Sequence, residues 1–160
     1  MAENALTVET RQGVGKGVAR KLRAAGRIPG VCYGKGEPSV PISLDPRALR
    51  RLLERSEAGM NTLINLAVEG GGAFDGKIVL VRELQRDPVE GHYLHADLLA
   101  VDVQQAIEVA VPIRISGRAQ GVELGGILDQ ALREIDLECL PLAIPSEILV
   151  DVSELDVGDS

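Results

Sequence analysis

The chain has 160 residues, of which 45% are hydrophobic and 26% are charged, a balance typical of a folded globular protein and not of a disordered one. No apolar run approaches the roughly 18 residues that a membrane span needs, and neither Cys32 nor Cys139 has a Cys or His neighbour at zinc-ligand spacing. These features predict an intracellular protein without a signal peptide, a membrane segment or a metal site.

The net charge of −7 argues on average against a nucleic-acid partner, but the charge is unevenly distributed. Residues 1–100 carry 14 basic and 12 acidic side chains, whereas residues 101–160 carry 3 and 12, so the two parts have net charges of +2 and −9. Residues 11–36 hold seven basic side chains and no acidic one. Solvated surfaces normally mix both signs, so this stretch predicts a polyphosphate-binding surface.

Short segments in which apolar and polar residues alternate predict the strands of the first part. They are 5–11, 31–33, 40–44, 63–68, 77–84 and 93–103. Glycine-rich or turn-forming clusters at 13–17, 34–38, 70–72 and 87–91 separate several of them. We expect a meandering antiparallel sheet that closes into a small β-barrel.

Two short helices are predicted among these strands, at the ends of the barrel. The first covers 18–25 and ends before Gly26. The second covers 46–56, with Asp45 as N-cap and Pro46 at the first helical position. Three leucines form its apolar face and leave four arginines mostly outside: Leu49, Leu52 and Leu53, and Arg47, Arg50, Arg51 and Arg55.

The remaining residues form a second unit with strand signals and no helix signal. Strands are expected over 107–116, 127–140 and 147–152. The fold class is therefore mainly β with short helices: a barrel domain at 1–103 and an acidic, wholly β domain at 104–160. About 55 residues are few for an independent core, so the second domain is expected to be incomplete at its C-terminus.

The glycine-rich loop does not match a nucleotide-binding motif. Gly13 and Gly15 would require a third glycine at the position of Val18, and the spacing before Lys35 is wrong for a phosphate-binding Walker loop. What remains is a flexible basic loop that leads to Arg20, Lys21 and Arg23, where small residues let backbone amides approach phosphates.

No residue pattern supports catalysis or a cofactor. His92 and His95 fall on opposite faces of a strand, which disfavours a metal site. His95 and Asp97 share a face, although such a pair is more often a structural hydrogen bond than a functional site. No serine or cysteine has a nucleophile signature, and we expect no catalytic residue, metal, cofactor or small-molecule substrate.

Several motifs in order resemble one known family. In the first part they cover residues 15–23, 28–34, 86–88 and 95–99, and in the second 117–122, 125–128, 138–141 and 144–145. Together they resemble ribosomal protein 25 of the bacterial large subunit, in the long form also called general stress protein CTC. The resemblance covers nearly the whole chain.

The resemblance implies a β-barrel that binds the loop E region of 5S rRNA in the central protuberance, beside other large-subunit components. By motif position, the contact residues would be Arg11, Arg20, Tyr33, His95 and Asp97. A cytoplasmic, ribosome-associated location and the absence of a membrane or small-molecule partner follow from the same resemblance.

The chemistry of these residues agrees with that role, and it adds Lys16 and Arg23 as RNA contacts. The basic side chains would hold phosphates, Tyr33 would stack or donate through its hydroxyl, and His95 would supply a directional donor or acceptor. A carboxylate on a phosphate-facing surface is repelled unless it accepts from a base amino group. Asp97 therefore indicates readout of bases or shape.

Two alternatives remain at this point. One is an RNA-processing enzyme, such as a nuclease that uses Asp97 with Mg²⁺, which metal-dependent cleavage of labelled RNA would reveal. The other is a protein-interaction module built on the acidic half, for which residues 104–160 should capture a partner without RNA.

Overall fold

The computed structural model describes residues 4–34, 36–56 and 58–159. It divides into two compact units, Met1–Gln105 and Ala106–Ser160, slightly after the boundary expected from the sequence. The chain is mainly β, as predicted, with a closed barrel in the first unit and a separate three-stranded sheet in the second. No described helix is long and apolar enough to span a membrane.

Six strands form the barrel of the first unit. They are β1 (Ala5–Thr10), β2 (Ile28–Gly34), β3 (Glu37–Leu44), β4 (Ile64–Glu69), β5 (Ile78–Arg86) and β6 (Tyr93–Ala100). Around the barrel they follow the order β1-β3-β2-β6-β5-β4. The pairs β1·β4 and β2·β6 are parallel and the others antiparallel, so the expectation of a simple antiparallel meander is wrong. Alternation in a strand shows which side chains are buried but does not identify the neighbouring strand.

The barrel core is built almost entirely from aliphatic side chains, because the chain has few aromatic residues. Leu6 and Val8 of β1 are fully buried, and alternate residues of β4 are buried in the same way. This two-residue period directs one side of each strand inward and the other outward. The outward side chains form the surface that a ligand can contact.

Two helices belong to the barrel unit, α1 (Lys16–Ala24) and α2 (Pro46–Arg55), and both agree with the sequence prediction. α1 begins slightly earlier than expected, after Gly15, whose φ of 104° lies in the left-handed region. The Asp45 carboxylate caps α2 by accepting from the backbone N–H of Arg47 at 2.8 Å. α2 joins the end of β3 to the start of β4 and buries its leucine face in the barrel core.

The second unit contains β7 (Ile107–Ser116), β8 (Glu134–Cys139) and β9 (Ile148–Asp151), in the order β8-β7-β9. β7 pairs antiparallel with β8 and parallel with β9. The predicted strand over 127–140 forms only from residue 134, and before it the side-chain amide of Gln130 donates to the backbone carbonyl of Ile113. The unit also contains a four-residue helix, α3 (Gln120–Glu123), so it is not wholly β; a single turn is too short for helical periodicity to reveal.

Candidate RNA-binding interface

Three strands of the barrel present polar side chains on one outward face. On β6, Ala96 and Leu98 are buried, so His95 and Asp97 point away from the core. In the parallel pair with β2, Asp97 lies opposite Val31, and Tyr33 lies two residues further along the same face. In the antiparallel pair with β5, Gln85 lies opposite His95 and Glu83 opposite Asp97. We call these five side chains the readout face: Tyr33, Glu83, Gln85, His95 and Asp97.

His95 and Asp97 contact each other directly within this face. The Nδ1 atom of His95 lies 2.7 Å from Oδ1 of Asp97, and both side chains are more than two-thirds buried. Because a carboxylate can only accept, Nδ1 carries the proton of this hydrogen bond. Asp97 keeps lone pairs for a second donor. The structural hydrogen bond and a role in readout are therefore compatible in this pair.

Tyr33 extends the face with a phenolic hydroxyl. Burial raises the pKa of Tyr33 above its ordinary value, and the negative charge of Asp97 raises it further. The positive charge of Arg82 acts in the opposite direction without cancelling the increase. The hydroxyl therefore stays protonated at neutral pH and can donate a hydrogen bond.

Two glycines of the motif at residues 28–34 allow β2 to approach β6 closely. A Cβ atom on Gly30 would lie 2.6 Å from the backbone oxygen of Ala96, and one on Gly34 would lie 2.9 Å from Cβ of Ala100. Neither position can accept a side chain without a shift of the strands. These glycines set the spacing that places Tyr33 beside His95 and Asp97.

The predicted basic residues lie on α1 and on the loop before it, and one of them, Arg23, reaches the edge of this face. Arg23 donates from Nε and Nη2 to the carbonyl of Leu94, at 3.2 and 2.9 Å, and so fastens the end of α1 next to His95. Lys16 and Arg20 are exposed and four residues apart, so they share one side of α1. Arg11 donates to the carbonyls of Ile42 and Gly13, which ties the glycine-rich loop to β3.

The structure thus brings together Tyr33, His95 and Asp97, with Arg23 at their border. Arg11, Lys16 and Arg20 lie on the connected loop and helix, while Lys35 lies outside the described residues. Glu83 and Gln85, whose side chains contact each other at 3.2 Å, were not predicted from the sequence. The alternation of β5 contains the signal, but only the pairing with β6 shows that they join this face.

The cysteines and acidic groups offer little reactive chemistry in the described part of the chain. Cys32 is fully buried in the barrel, and burial raises the pKa of its thiol to about 12, so it stays protonated and inert. No group of three or more His, Cys, Asp or Glu side chains among the described residues could hold a metal ion. The readout face is suited to hydrogen bonding and charge recognition.

Both parts of the chain match known protein families. Residues 6–98 match the ribosomal L25p family, and residues 106–160 match the C-terminal domain of ribosomal protein TL5. The chain is 43% identical over its whole length to the large ribosomal subunit protein bL25 of Syntrophotalea carbinolica, of which it covers 76%. It is 45% identical to bL25 of Geotalea uraniireducens, again over the whole chain and 81% of that relative. With bL25 of Halothermothrix orenii it shares 43% identity over 97% of this chain and 69% of the relative. The chain belongs to the ribosomal L25p family, a family of structural proteins and not of enzymes.

Proposed function

We propose that this chain is a structural protein of the large ribosomal subunit that binds the loop E region of 5S rRNA in the central protuberance. The observation that carries the proposal is the readout face, in which an ordered His95–Asp97 pair and Tyr33 lie beside the basic helix α1. The relatives, all named as large-subunit ribosomal proteins, support membership of the large subunit and a ribosome-associated location in the cytoplasm.

RNA-binding surfaces combine phosphate binding with base recognition, and here the two tasks fall to different elements. Lys16 and Arg20 project from α1 without a carboxylate on the same helix, so they can bind phosphates. The readout face instead offers acceptors and directional donors, with two carboxylates that phosphates alone would repel. Such a face requires base amino groups or hydroxyls as partners.

This requirement favours an irregular RNA region over a regular duplex. The deep, narrow major groove of A-form RNA hides the base edges from protein side chains, whereas loops and bulges expose base edges together with 2′-hydroxyls. A rigid barrel surface can read such edges without a large conformational change. The loop E region implied by the family resemblance is a target of this kind.

Replacement of Arg20 by alanine tests the phosphate contact. Arg20→Ala should weaken binding to 5S rRNA and to unrelated RNA together, and should reduce the slope of log K against log salt by roughly 0.7 to 0.9. Arg118→Ala removes an arginine of the second unit that is also exposed, and should leave the slope unchanged. Binding isotherms at four salt concentrations measure both variants. An unchanged slope for Arg20→Ala would assign this arginine to an ordinary solvated helix surface.

Removal of the second unit tests whether the barrel carries the RNA site. Residues 101–160 have a net charge of −9, which disfavours contact with phosphates. Residues 1–103 alone should therefore bind 5S rRNA about as tightly as the full chain, as measured by filter binding with folding checked by circular dichroism. Loss of binding by a folded fragment would show that the second unit takes part in RNA recognition.

A further inference from the structure

The outward side of α2 carries a row of arginines that the proposed RNA site does not use. Arg47, Arg51 and Arg55 are all exposed and follow one another at four-residue intervals. Residues at this spacing lie above one another on a helix, and each step rises about 6 Å along its axis. We call these three residues the α2 arginine stripe.

The stripe is held on a rigid support. Leu49, Leu52 and Leu53, on the opposite side of α2, are at most 8% exposed and belong to the barrel core. The N-terminus of the helix is fixed by the Asp45 cap. Three guanidinium groups therefore project from a surface that does not need to become ordered when a ligand binds.

The charges of the stripe are not neutralised within the described part of the chain. Glu54 is the one acidic residue of α2, and its carboxylate pairs with Arg50 at 2.7 Å. The three guanidinium groups of the stripe have no hydrogen bond or ion pair to another described residue. The stripe therefore offers three positive charges in a row.

This arrangement is unfavourable for the helix itself. Like charges four residues apart repel each other, which applies to Arg47 with Arg51 and to Arg51 with Arg55. The first turn contains no acidic residue, and Arg47 lies there against the positive end of the helix dipole. Arg55 lies in the last turn, where the negative end of the helix dipole favours a cation. Helix stability does not explain Arg47 and Arg51, whereas a polyanion would relieve all of these repulsions.

We propose that the α2 arginine stripe binds the phosphate backbone of a second ribosomal RNA segment, separate from the one at the readout face. This second contact rests on the proposed function, since it requires the barrel to be bound to RNA already. The stripe lies on the helix that connects β3 to β4, whereas the readout face lies on the outer side of β2, β6 and β5. The approximate 6 Å steps match successive phosphates along an RNA strand and require no particular base sequence.

The test compares two variants with the same change in net charge. The first replaces Arg47, Arg51 and Arg55 by glutamine, and the control replaces Arg114, Arg118 and Arg133 of the second unit, which are also exposed. Glutamine retains good helix propensity, and thermal melting verifies that both variants fold. Each full-length protein is bound to isolated 5S rRNA and, separately, to large-subunit particles that were assembled without this protein. Hydroxyl-radical footprints and salt titrations are recorded in both cases.

With particles, the stripe variant should lose backbone protection in a second RNA segment, and its salt slope should fall by about 2 to 3 relative to wild type and control. With isolated 5S rRNA, it should keep the wild-type footprint and slope. A reduced slope on isolated 5S rRNA would overturn the proposal, because the stripe would then belong to the first contact. Unchanged particle footprints would equally overturn it and identify an ordinary solvated helix surface. Failure of wild-type protein to protect 5S rRNA would instead contradict the proposed function.

Discussion

Asp97→Asn should reduce the preference for 5S rRNA over a scrambled hairpin by roughly tenfold or more, while non-specific affinity stays equal or rises. A good base-edge contact contributes about 1 to 3 kcal/mol of discrimination, and loss of a negative charge reduces repulsion from phosphates. The asparagine oxygen can still accept from Nδ1 of His95, which lies 2.7 Å from the carboxylate in the native pair. The substitution therefore changes the second acceptor with little effect on the orientation of the imidazole.

The neighbouring histidine provides an internal check of this result. His95→Ala should cause a similar but smaller loss of discrimination, and the double variant should lose less than the sum of the two, because the side chains act as a pair. Asp136→Asn makes the same charge change at an exposed site of the second unit and should have no effect. Isotherms at matched salt measure all four variants. An unchanged preference in folded Asp97→Asn protein would mean that the carboxylate is only structural.

Gly30→Ala should destabilise the barrel unit by about 1 to 3 kcal/mol, because the new methyl group would overlap the backbone oxygen of Ala96. The contact is with backbone between two paired strands, so it cannot be relieved by rotation of a side chain. For a unit of this size, each kcal/mol corresponds to about 4 to 8 °C in melting temperature. Differential scanning calorimetry of the full chain should show a lower transition for the barrel unit.

The same substitution at Gly17 gives a control with the opposite expected sign. Gly17 lies within α1, and a Cβ atom there would meet nothing within 4 Å. Gly17→Ala should therefore leave the barrel unchanged or stabilise it by up to about 1 kcal/mol, since alanine favours helix more than glycine. Equal melting temperatures for the two variants would contradict the close approach of β2 and β6.

Much of the fold could be predicted from local signals in the sequence. The Asp45–Pro46 start and the leucine spacing identified α2, and two-residue alternation identified the barrel strands. The strand order could not be predicted, because the parallel β2·β6 pair depends on contacts far apart in the chain. The irregular conformation of residues 127–133 was also missed, and there the side chain of Gln130 bonds to β7, 17 residues away in sequence.

In the candidate site, too, local signals could be predicted from the sequence and the pairing of distant strands could not. The sequence placed His95 and Asp97 on one face, and they are in contact. Alternation along one strand is sufficient for that prediction. Glu83 and Gln85 required the register of β5 against β6, which passes through a bulge after Val81 that no local pattern indicates. Arg23 was predicted as a phosphate contact, but its bonds to the carbonyl of Leu94 also give it a role in holding α1 on the barrel.

The central claim is that the barrel recognises 5S rRNA through the readout face. The most direct test incubates the full-length protein with protein-free total ribosomal RNA near physiological salt, then identifies the captured RNA and maps its protected nucleotides. The account predicts strong enrichment of 5S rRNA, protection confined to the loop E region, and loss of that enrichment for Asp97→Asn. Capture of the ribosomal RNAs in proportion to their length, with the same pattern for wild type and Asp97→Asn, would contradict it.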